Sequence, residues 1–383
     1  MPCGGAPGRS NGGRLCGLLR VIVMNFGSDN AAGASPKVME ALMAANQGVA
    51  AAYGADAWTT RVEAQLSEVF EREIGVSLLA TGTAANALAL ACVTRPWSAV
   101  LCHDASHIMD DECGAPEFFT DGAKLVGIGG VGGKLDPGSV ASRLARMPHG
   151  SVKQVQPACL SISQLTECGL VYSPSEIAAL KEAIRPRGLK LHMDGARFAN
   201  AVASLGCTPA EITWKAGVDV LSFGVTKNGA WAAEAVLFFD PAGGDAMPWR
   251  KKRAGHTLSK GRFVAAQFEA LLHDGHWLDL ARLANARARR LAAGLSAVEG
   301  VRLGWACEGN EVFAIMPKAL SAGLRAAGAV FYDWAEGALD PANALRAGEG
   351  IHRFVCSFAT GEAEISALVQ QAERLAGMPP MAH

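Results

Sequence analysis

VDVLSFGVTKNGAWAAEAVLFF, from Val218 to Phe239, contains two apolar runs of strand length, VDVLSFG (218–224) and AAEAVLFF (232–239), with one lysine, Lys227, in the glycine-spaced turn between them. An ammonium group buried there without a partner costs several kcal/mol or is driven to lose its proton. Either it escapes to solvent or it does chemistry. Similar short runs recur upstream as VSLLAT (76–81), SAVLCH (98–103), AKLVGI (123–128) and LKLHMD (189–194), each ending in or followed by Gly, Asp, His or Thr. Between them lie helix signals. Ser35-Pro36 before KVMEALMAANQG reads as N-cap and N1, and Ser173-Pro174-Ser175-Glu176 reads as a capping box opening IAALKEAI. Strands alternating with helices predict an α/β fold, a mainly parallel central sheet wrapped by helices, with functional residues at the strand ends.

After Asp240 the texture changes. PAGGDAMPWRKKRAGHTLSKGR reads as a polar, basic, loop-like section leading into a long helical region through Trp277 to Val298. VRLGWA, EVFAIMP, AVFYDW and HRFVCSFA then alternate with two helices. The expected organisation is a leader over 1–23, a large domain over 24–280 whose first residues reach toward the small domain, and a small C-terminal α+β domain over 281–383. The leader MPCGGAPGRSNGGRLCGLLRVIV is rich in Gly and Arg, has no acid, and has too short an apolar stretch for a signal peptide; a transit peptide is the alternative to a poorly ordered extension. A fold-like pattern starts abruptly at Met24, which could itself be the true start.

Across 383 residues, 35 Lys and Arg balance 36 Asp and Glu, and no basic stripe interleaves with aromatics, so nucleic acid is a poor partner. The 10 cysteines form no CxxC pair or zinc spacing, which fits reduced thiols in a cytoplasmic protein. No apolar run is long enough to span a bilayer, so no membrane partner is expected.

Four features fall at predicted strand ends. Thr81-Gly82-Thr83 joins a strand to a helix beginning near Ala84, where main-chain N–H groups, two hydroxyls and the positive helix end make a seat for phosphate; it lacks a Walker lysine and a GxGxxG. A plain, well-capped turn is the bland alternative. In LHMDGARFANA, Asp194 closes a strand and Arg197 follows: an acid for a protonated ring nitrogen and a guanidinium for a carboxylate, or else a structural Asp–Arg pair. His192, one step earlier on the other face, reads as a hydrogen-bonded core histidine. In CHDASHIMDDECGAPEFF, His107 sits with Asp110, Asp111 and Glu112; a metal lacks a second well-spaced histidine, and an imidazole stacked over a flat ring is the preferred reading. Lys227 after its strand has the setting of an imine-forming amine of lowered pKa. Phosphate seat, acid for a ring nitrogen, aromatic cover and imine lysine together fit pyridoxal 5′-phosphate.

The same residues carry a family resemblance. MNFGSDNAAGASP, YGADAWT, ATGTAANALAL, HIMDDECGAPEFF, HMDGARFANA, SFGVTKNGA and IHRFVCSFAT resemble the low-specificity L-threonine aldolases, of the threonine aldolase and aromatic amino acid β-eliminating lyase family, especially the phenylserine aldolase-like subgroup. The resemblance covers Met24 to about Thr360 and implies the PLP-dependent transferase-like fold of the aspartate aminotransferases, fold type I. It implies cleavage of L-threonine, L-allo-threonine or a β-phenylserine to glycine and an aldehyde. Lys227 then carries the cofactor as an imine, Asp194 pairs with the pyridine nitrogen, Thr81, Gly82 and Thr83 hold the phosphate, and His107 stacks on the ring. Ser28, Arg197 and Arg353 hold the substrate carboxylate. Where many members carry a histidine close to the β-hydroxyl, SQLTECGLVYS places Glu167, which leaves the base open among His107, Glu167 and water. A solvated loop carboxylate is the bland reading of Glu167. Tyr53 and Asp56 of YGADAWT are expected to line the site, with interfacial packing the alternative for Tyr53. Active sites of this fold type lie at a dimer interface, so Arg253 and Arg262 are candidates to reach the phosphate of a partner subunit in a homodimer or homotetramer. The competing readings are a PLP-dependent β-eliminating lyase on aromatic or β-substituted amino acids, and a silent scaffold, which would have damaged motifs.

Overall fold

The computed structural model describes residues 23–377. The leader expected over 1–23 lies outside the described residues, save for Val23. Seven strands, Gly75–Leu79 (β1), Ser98–His103 (β2), Lys124–Ile128 (β3), Gln156–Ser163 (β4), Lys190–Gly195 (β5), Val220–Gly224 (β6) and Glu234–Phe238 (β7), form one sheet in the order β1-β7-β6-β5-β4-β2-β3. Strands β3, β2, β4, β5 and β6 pair in parallel, while β7 runs antiparallel to both β6 and β1. The chain between Gly224 and Glu234 is too short for a parallel crossover, which needs about a dozen residues or more, so β7 has to turn back.

The apolar runs are strands because both faces of the sheet are covered. Leu221, Phe223 and Leu237 enter one large core cluster, while Val220, Val236 and Phe238 enter another with Leu88 and Ala89 of the helix Gly82–Val93. Helix starts follow the sequence signals. Ser35 caps Pro36–Ala45 through the N–H of Val38, and Ser173 and Glu176 form the reciprocal capping box of Pro174–Ile184.

Downstream, Arg302–Leu303 (β8), Glu311–Pro317 (β9), Tyr332–Asp333 (β10) and Glu349–Val355 (β11) make an antiparallel sheet in the order β10-β11-β9-β8. Met24 and Phe26, from the start of the described chain, pack into its core. The helix His276–Ser296 joins the two sheets: Trp277, Leu280 and Ala281 enter the first core, and Ala288, Leu291 and Leu295 the second. The basic section after Asp240 is not all loop, since Met247–Arg253 is a helix. Its run of Arg250, Lys251, Lys252 and Arg253 shows no amphipathic stripe, yet four cations in a last turn suit the negative end of the helix dipole.

Candidate active site

Register sets the site. Ser163 of β4, Asp194 of β5 and Ser222 of β6 lie side by side, and two residues further along β6 Gly224 lies beside Glu234 of β7 and Leu79 of β1. The turns that follow these strand ends therefore converge on one edge. There a cavity of about 300 Å³ is lined by Thr81, Gly82, Thr83, His107, Glu167, Asp194, Arg197, Lys227 and Glu234, among others. Two glycines keep the strand ends close. A Cβ on Gly195 would stand 2.8 Å from the carbonyl oxygen of Ser222, and one on Gly224 would stand 2.9 Å from the Cα of Ala196.

Thr81 is the N-cap of Gly82–Val93, its hydroxyl accepting from the N–H of Ala84 at 3.3 Å. The first N–H groups of such a helix have no partner within it, and here they open onto the cavity beside the Thr83 side chain. The donor set suits an anionic ester.

On the side of Asp194 and His107, one amide organises three groups. Asn86 Nδ2 donates to Asp194 Oδ2 and to Glu112 Oε1, both at 2.8 Å, and His107 Nδ1 lies 2.8 Å from the same Glu112 oxygen. The main-chain N–H of Ala196 donates to the other oxygen of Asp194 at 3.0 Å. Glu112 is buried, and burial pushes its carboxyl up against the pull of His107 and Asn86. The hydrogen bond to Glu112 raises the His107 pKa, overcoming partial burial. Ligand atoms of His107, Glu112 and Asp194 lie within 4.8 Å of one another, close enough for a cation, but Asn86 already bridges the two carboxylates.

Glu167 is half-buried, and its Oε1 accepts from the main-chain N–H of His107 at 3.2 Å. Burial, then the charge of Asp194, push its carboxyl upward. His192 lies behind this row, wholly buried between Ser161 Oγ at 2.8 Å and Ser222 Oγ at 3.0 Å, and burial lowers its pKa to about 4. It is a core histidine, as its face of the strand predicts.

A second charged cluster flanks Lys227 on the side of the small sheet. Arg197 donates from Nε and Nη2 to the two oxygens of Asp29, at 2.8 and 3.1 Å, and its Nη2 lies 3.4 Å from Glu311 Oε1. Arg353 Nη1 is 3.8 Å from the same Glu311 oxygen, with its guanidinium stacked 4.4 Å over the Trp334 ring. Burial pushes Asp29 up, but Arg197 and Lys227 outweigh it and hold the carboxyl below its usual range. Ser28 adjoins Asp29 and caps a short 3-10 turn through the N–H of Asn30. The apolar setting expected for Lys227 needs correction: Val225 and Ala230 nearby in the chain are buried and apolar, but the lysine side chain shares the cavity with Asp194, Glu167 and Glu234.

Other sequence candidates lie elsewhere in the protomer. Tyr53 is 63% exposed and faces Lys252, and Asp56 caps the helix Ala57–Val69 through Thr59, so neither lines this cavity. Arg253 borders a separate surface hollow with Trp249 and Phe118, and Arg262 opens the helix Arg262–Leu272 against Phe263. Asn86, Asp29, Glu311 and Glu234 are not singled out by the sequence, and Glu112 appears there only as one acid of the cluster beside His107. For two of them a signal was available: Glu234 interrupts AAEAVLFF and Glu311 opens EVFAIMP, acids placed in buried apolar strands.

Residues 25–316 match the model of the beta-eliminating lyase family. The chain belongs to that family. It is 42% identical to the low specificity L-threonine aldolase of Pseudomonas sp. (strain NCIMB 10558) over 90% of this chain and 95% of that protein. It is likewise 42% identical to the enzyme of the same name from Pseudomonas aeruginosa, over 88% and 93%. A solved structure of Leishmania major threonine aldolase superimposes with a TM-score of 0.85 at 30% identity, covering 92% of this chain and 99% of that one. Sphingomonas wittichii serine palmitoyltransferase, at 16% identity, a TM-score of 0.66 and coverage of 92% and 87%, shares the fold. This member of the beta-eliminating lyase family is thus an enzyme of the lyase class with the fold type I architecture.

Proposed function

We propose that the protein is a pyridoxal 5′-phosphate-dependent aldolase that cleaves the Cα–Cβ bond of L-threonine, L-allo-threonine and related β-hydroxy-α-amino acids to glycine and an aldehyde. The observation that carries this reading is the meeting of Lys227, Asp194 and the Thr81–Gly82–Thr83 turn in one cavity. That donor set matches an aldehyde, a pyridine nitrogen and a phosphate ester at once. The names of the Pseudomonas relatives support the substrate class.

Bound there, the cofactor supplies a sink for the electron pair left at Cα when the bond breaks. Lys227 would hold it through its amine. Asp194, oriented by Asn86 and the N–H of Ala196, would accept from the ring nitrogen. His107, fixed through Nδ1 by Glu112, would pack against the ring. Ser28, Arg197 and Arg353 would take the substrate carboxylate and so orient the bond to be broken. Glu167 is the base that takes the β-hydroxyl proton. Burial makes its carboxylate more basic, whereas the Glu112 bond favours the protonated form of His107 and makes that ring the poorer acceptor.

The assembly is a homodimer or homotetramer in which Tyr53, Arg253 and Arg262 serve a partner's site. The exposed Tyr53, Phe118, Trp231 and Trp249 support an interface. The large and small domains divide near residue 280, inside the helix His276–Ser296. A cytoplasmic location fits the eight free cysteines among the described residues. Among those residues no helix is long and apolar enough to cross a membrane.

The test is to supply threonine, allo-threonine and phenylserine to the purified protein and assay glycine. Glycine with the matching aldehyde is expected. Pyruvate and ammonia from a β-substituted amino acid, with no glycine, would replace this reading with the β-eliminating one.

A further inference from the structure

The acid that interrupts β7 stands where an anion is least welcome. Glu234 is the first residue of β7, in register with Leu79 on one side, two residues before Thr81, and with Gly224 on the other, three residues before Lys227. The only antiparallel strand of the large sheet is thus wedged between the phosphate turn and the lysine, and it points a buried carboxyl into the space they share. Thr226 Oγ1 donates to Glu234 Oε1 at 2.5 Å. The other oxygen lies 2.8 Å from where a Cβ on Gly224 would stand, so the missing side chain there leaves room for it.

We propose that Glu234 is the proton-accepting neighbour of the cofactor phosphate: seating a phosphate ester on the Thr81–Gly82–Thr83 turn transfers one proton from solvent to the Glu234 carboxyl, which then donates rather than repels. The inference rests on the cofactor reading above. Its physical basis is like-charge exclusion, since a carboxylate and a phosphate dianion held together in a site poor in water cannot both keep full charge. The charged groups facing Glu234 are Lys227 from the turn after β6 and Asp194 from β5; β1 and the helix Gly82–Val93 bring hydroxyls and main-chain N–H groups. Burial raises its carboxyl to about 7, with Thr226 and Lys227 pulling down and Asp194 pushing up. Protonation near neutral pH is therefore within easy reach before any phosphate arrives.

Linkage gives the sign. A group whose pKa rises on binding takes up a proton, so affinity falls with increasing pH between the free and bound pKa values, by up to about tenfold per pH unit. Imine formation at Lys227 has a proton balance of its own that would overlie this one. The probe is therefore pyridoxine 5′-phosphate, which has ring and phosphate but no aldehyde. Full-length protein freed of cofactor is titrated with it between about pH 6.5 and 9, as wild type and as Glu234→Gln, which keeps a donor without the charge.

The Kd ratio of wild type to variant is expected to climb toward about tenfold per unit above neutrality before levelling. Calorimetry in buffers of different ionisation enthalpy should report more proton uptake by the wild type with pyridoxine 5′-phosphate than with unphosphorylated pyridoxine, a difference in which the ring nitrogen cancels and which stands even if the variant folds poorly. Unphosphorylated pyridoxine should show no Glu234-dependent change with pH. Parallel pH profiles in wild type and variant, absence of that extra proton uptake, or the same Glu234 effect with unphosphorylated pyridoxine would each overturn the assignment. Failure of the wild type to bind pyridoxine 5′-phosphate at any pH would remove the cofactor reading, and the inference with it.

Discussion

Lys227 lies between two charged clusters of different construction. On the ring side, Asp194, Asn86, Glu112 and His107 are joined by hydrogen bonds of 2.8 Å, and both protons of the Asn86 amide are used. On the carboxylate side, Arg197 and Arg353 face Asp29 and Glu311; Arg197 is held tightly by Asp29, but neither oxygen of Glu311 has a hydrogen-bond partner among the described residues. The ring side fixes one geometry. The other side keeps guanidinium donors 3.4 and 3.8 Å from Glu311, loose enough to be turned toward an incoming carboxylate. Under the proposed function this is the expected difference: a network that holds a permanent ring is closed, and one that must admit and release substrate retains unspent hydrogen-bonding capacity.

The sharpest way to probe this division is to remove the residue both clusters address. Lys227→Ala should lower activity by more than about a thousandfold and abolish the visible absorbance of the bound cofactor, with the thermal midpoint little changed. Full activity in that variant would mean that neither cluster is arranged around an imine. Next in size is Glu167→Gln, since Glu167 bonds to the main chain of His107 yet lines the cavity and is the proposed base. Its kcat should fall about a hundredfold or more, with cofactor absorbance retained. Because burial raises the Glu167 pKa, wild-type kcat should rise with pH through that raised value as the carboxylate forms, and the Gln variant should lose this limb.

The two clusters also differ in how far sequence alone reveals them. Asp194 lies at the end of a strand, and Lys227, His107 and Thr81 each shortly follow one, whose apolar run is plain; a strand end in a parallel sheet is a placed position. Their supporting groups are harder to see. Asn86 sits within the alanine-rich ANALAL helix, and only the packing of that helix against the sheet turns its amide toward Asp194. The carboxylate cluster gathers Asp29 from near the chain start, Arg197 from the large sheet, and Glu311 and Arg353 from the small one. Pairing across such distances leaves no local period. Glu234 is the instructive miss, because a charge in a buried strand poses the same question as Lys227 a few residues earlier. Tyr53, Arg253 and Arg262 carried motif-like context but lie outside the protomer's own cavity, where an interface, not the local chain, would give them a role.

A third prediction breaks the carboxylate side. Asp29→Ala leaves the Arg197 guanidinium, only 10% exposed, with Glu311 as its remaining close acid. Removing one partner of a buried pair strands the other, so stability to urea should drop by about 3 kcal/mol, and KM for the amino acid should rise as Arg197 swings toward Glu311. The pH dependence follows from the sign of the shift. Asp29 has a folded pKa below its ordinary 3.8, so the stability it contributes is present above that value and is lost as pH falls through the lower one. Acid unfolding followed by fluorescence should therefore show a smaller loss between neutral and acidic pH in Asp29→Ala than in wild type. Equal acid sensitivity would place the pairing energy elsewhere.

The smallest effect is expected on the ring side, and it tests whether closure there matters beyond packing. Glu112→Gln keeps shape and volume but removes the charge that fixes His107 Nδ1. Since the bond from Glu112 is the leading cause of the raised His107 pKa, the imidazole should titrate lower in the variant, measured from its ring proton resonances. Loss of one charge-assisted bond should cost about tenfold in kcat/KM. A folded His107 pKa above its ordinary 6.5 means that the stability gained from the pair is fully present below that value and is lost as pH rises through the folded one. The variant should therefore flatten that part of the stability profile. A purely steric role for Glu112 predicts an unchanged His107 titration, because glutamine fills the same space, so the imidazole resonance separates the two readings even where activity changes little.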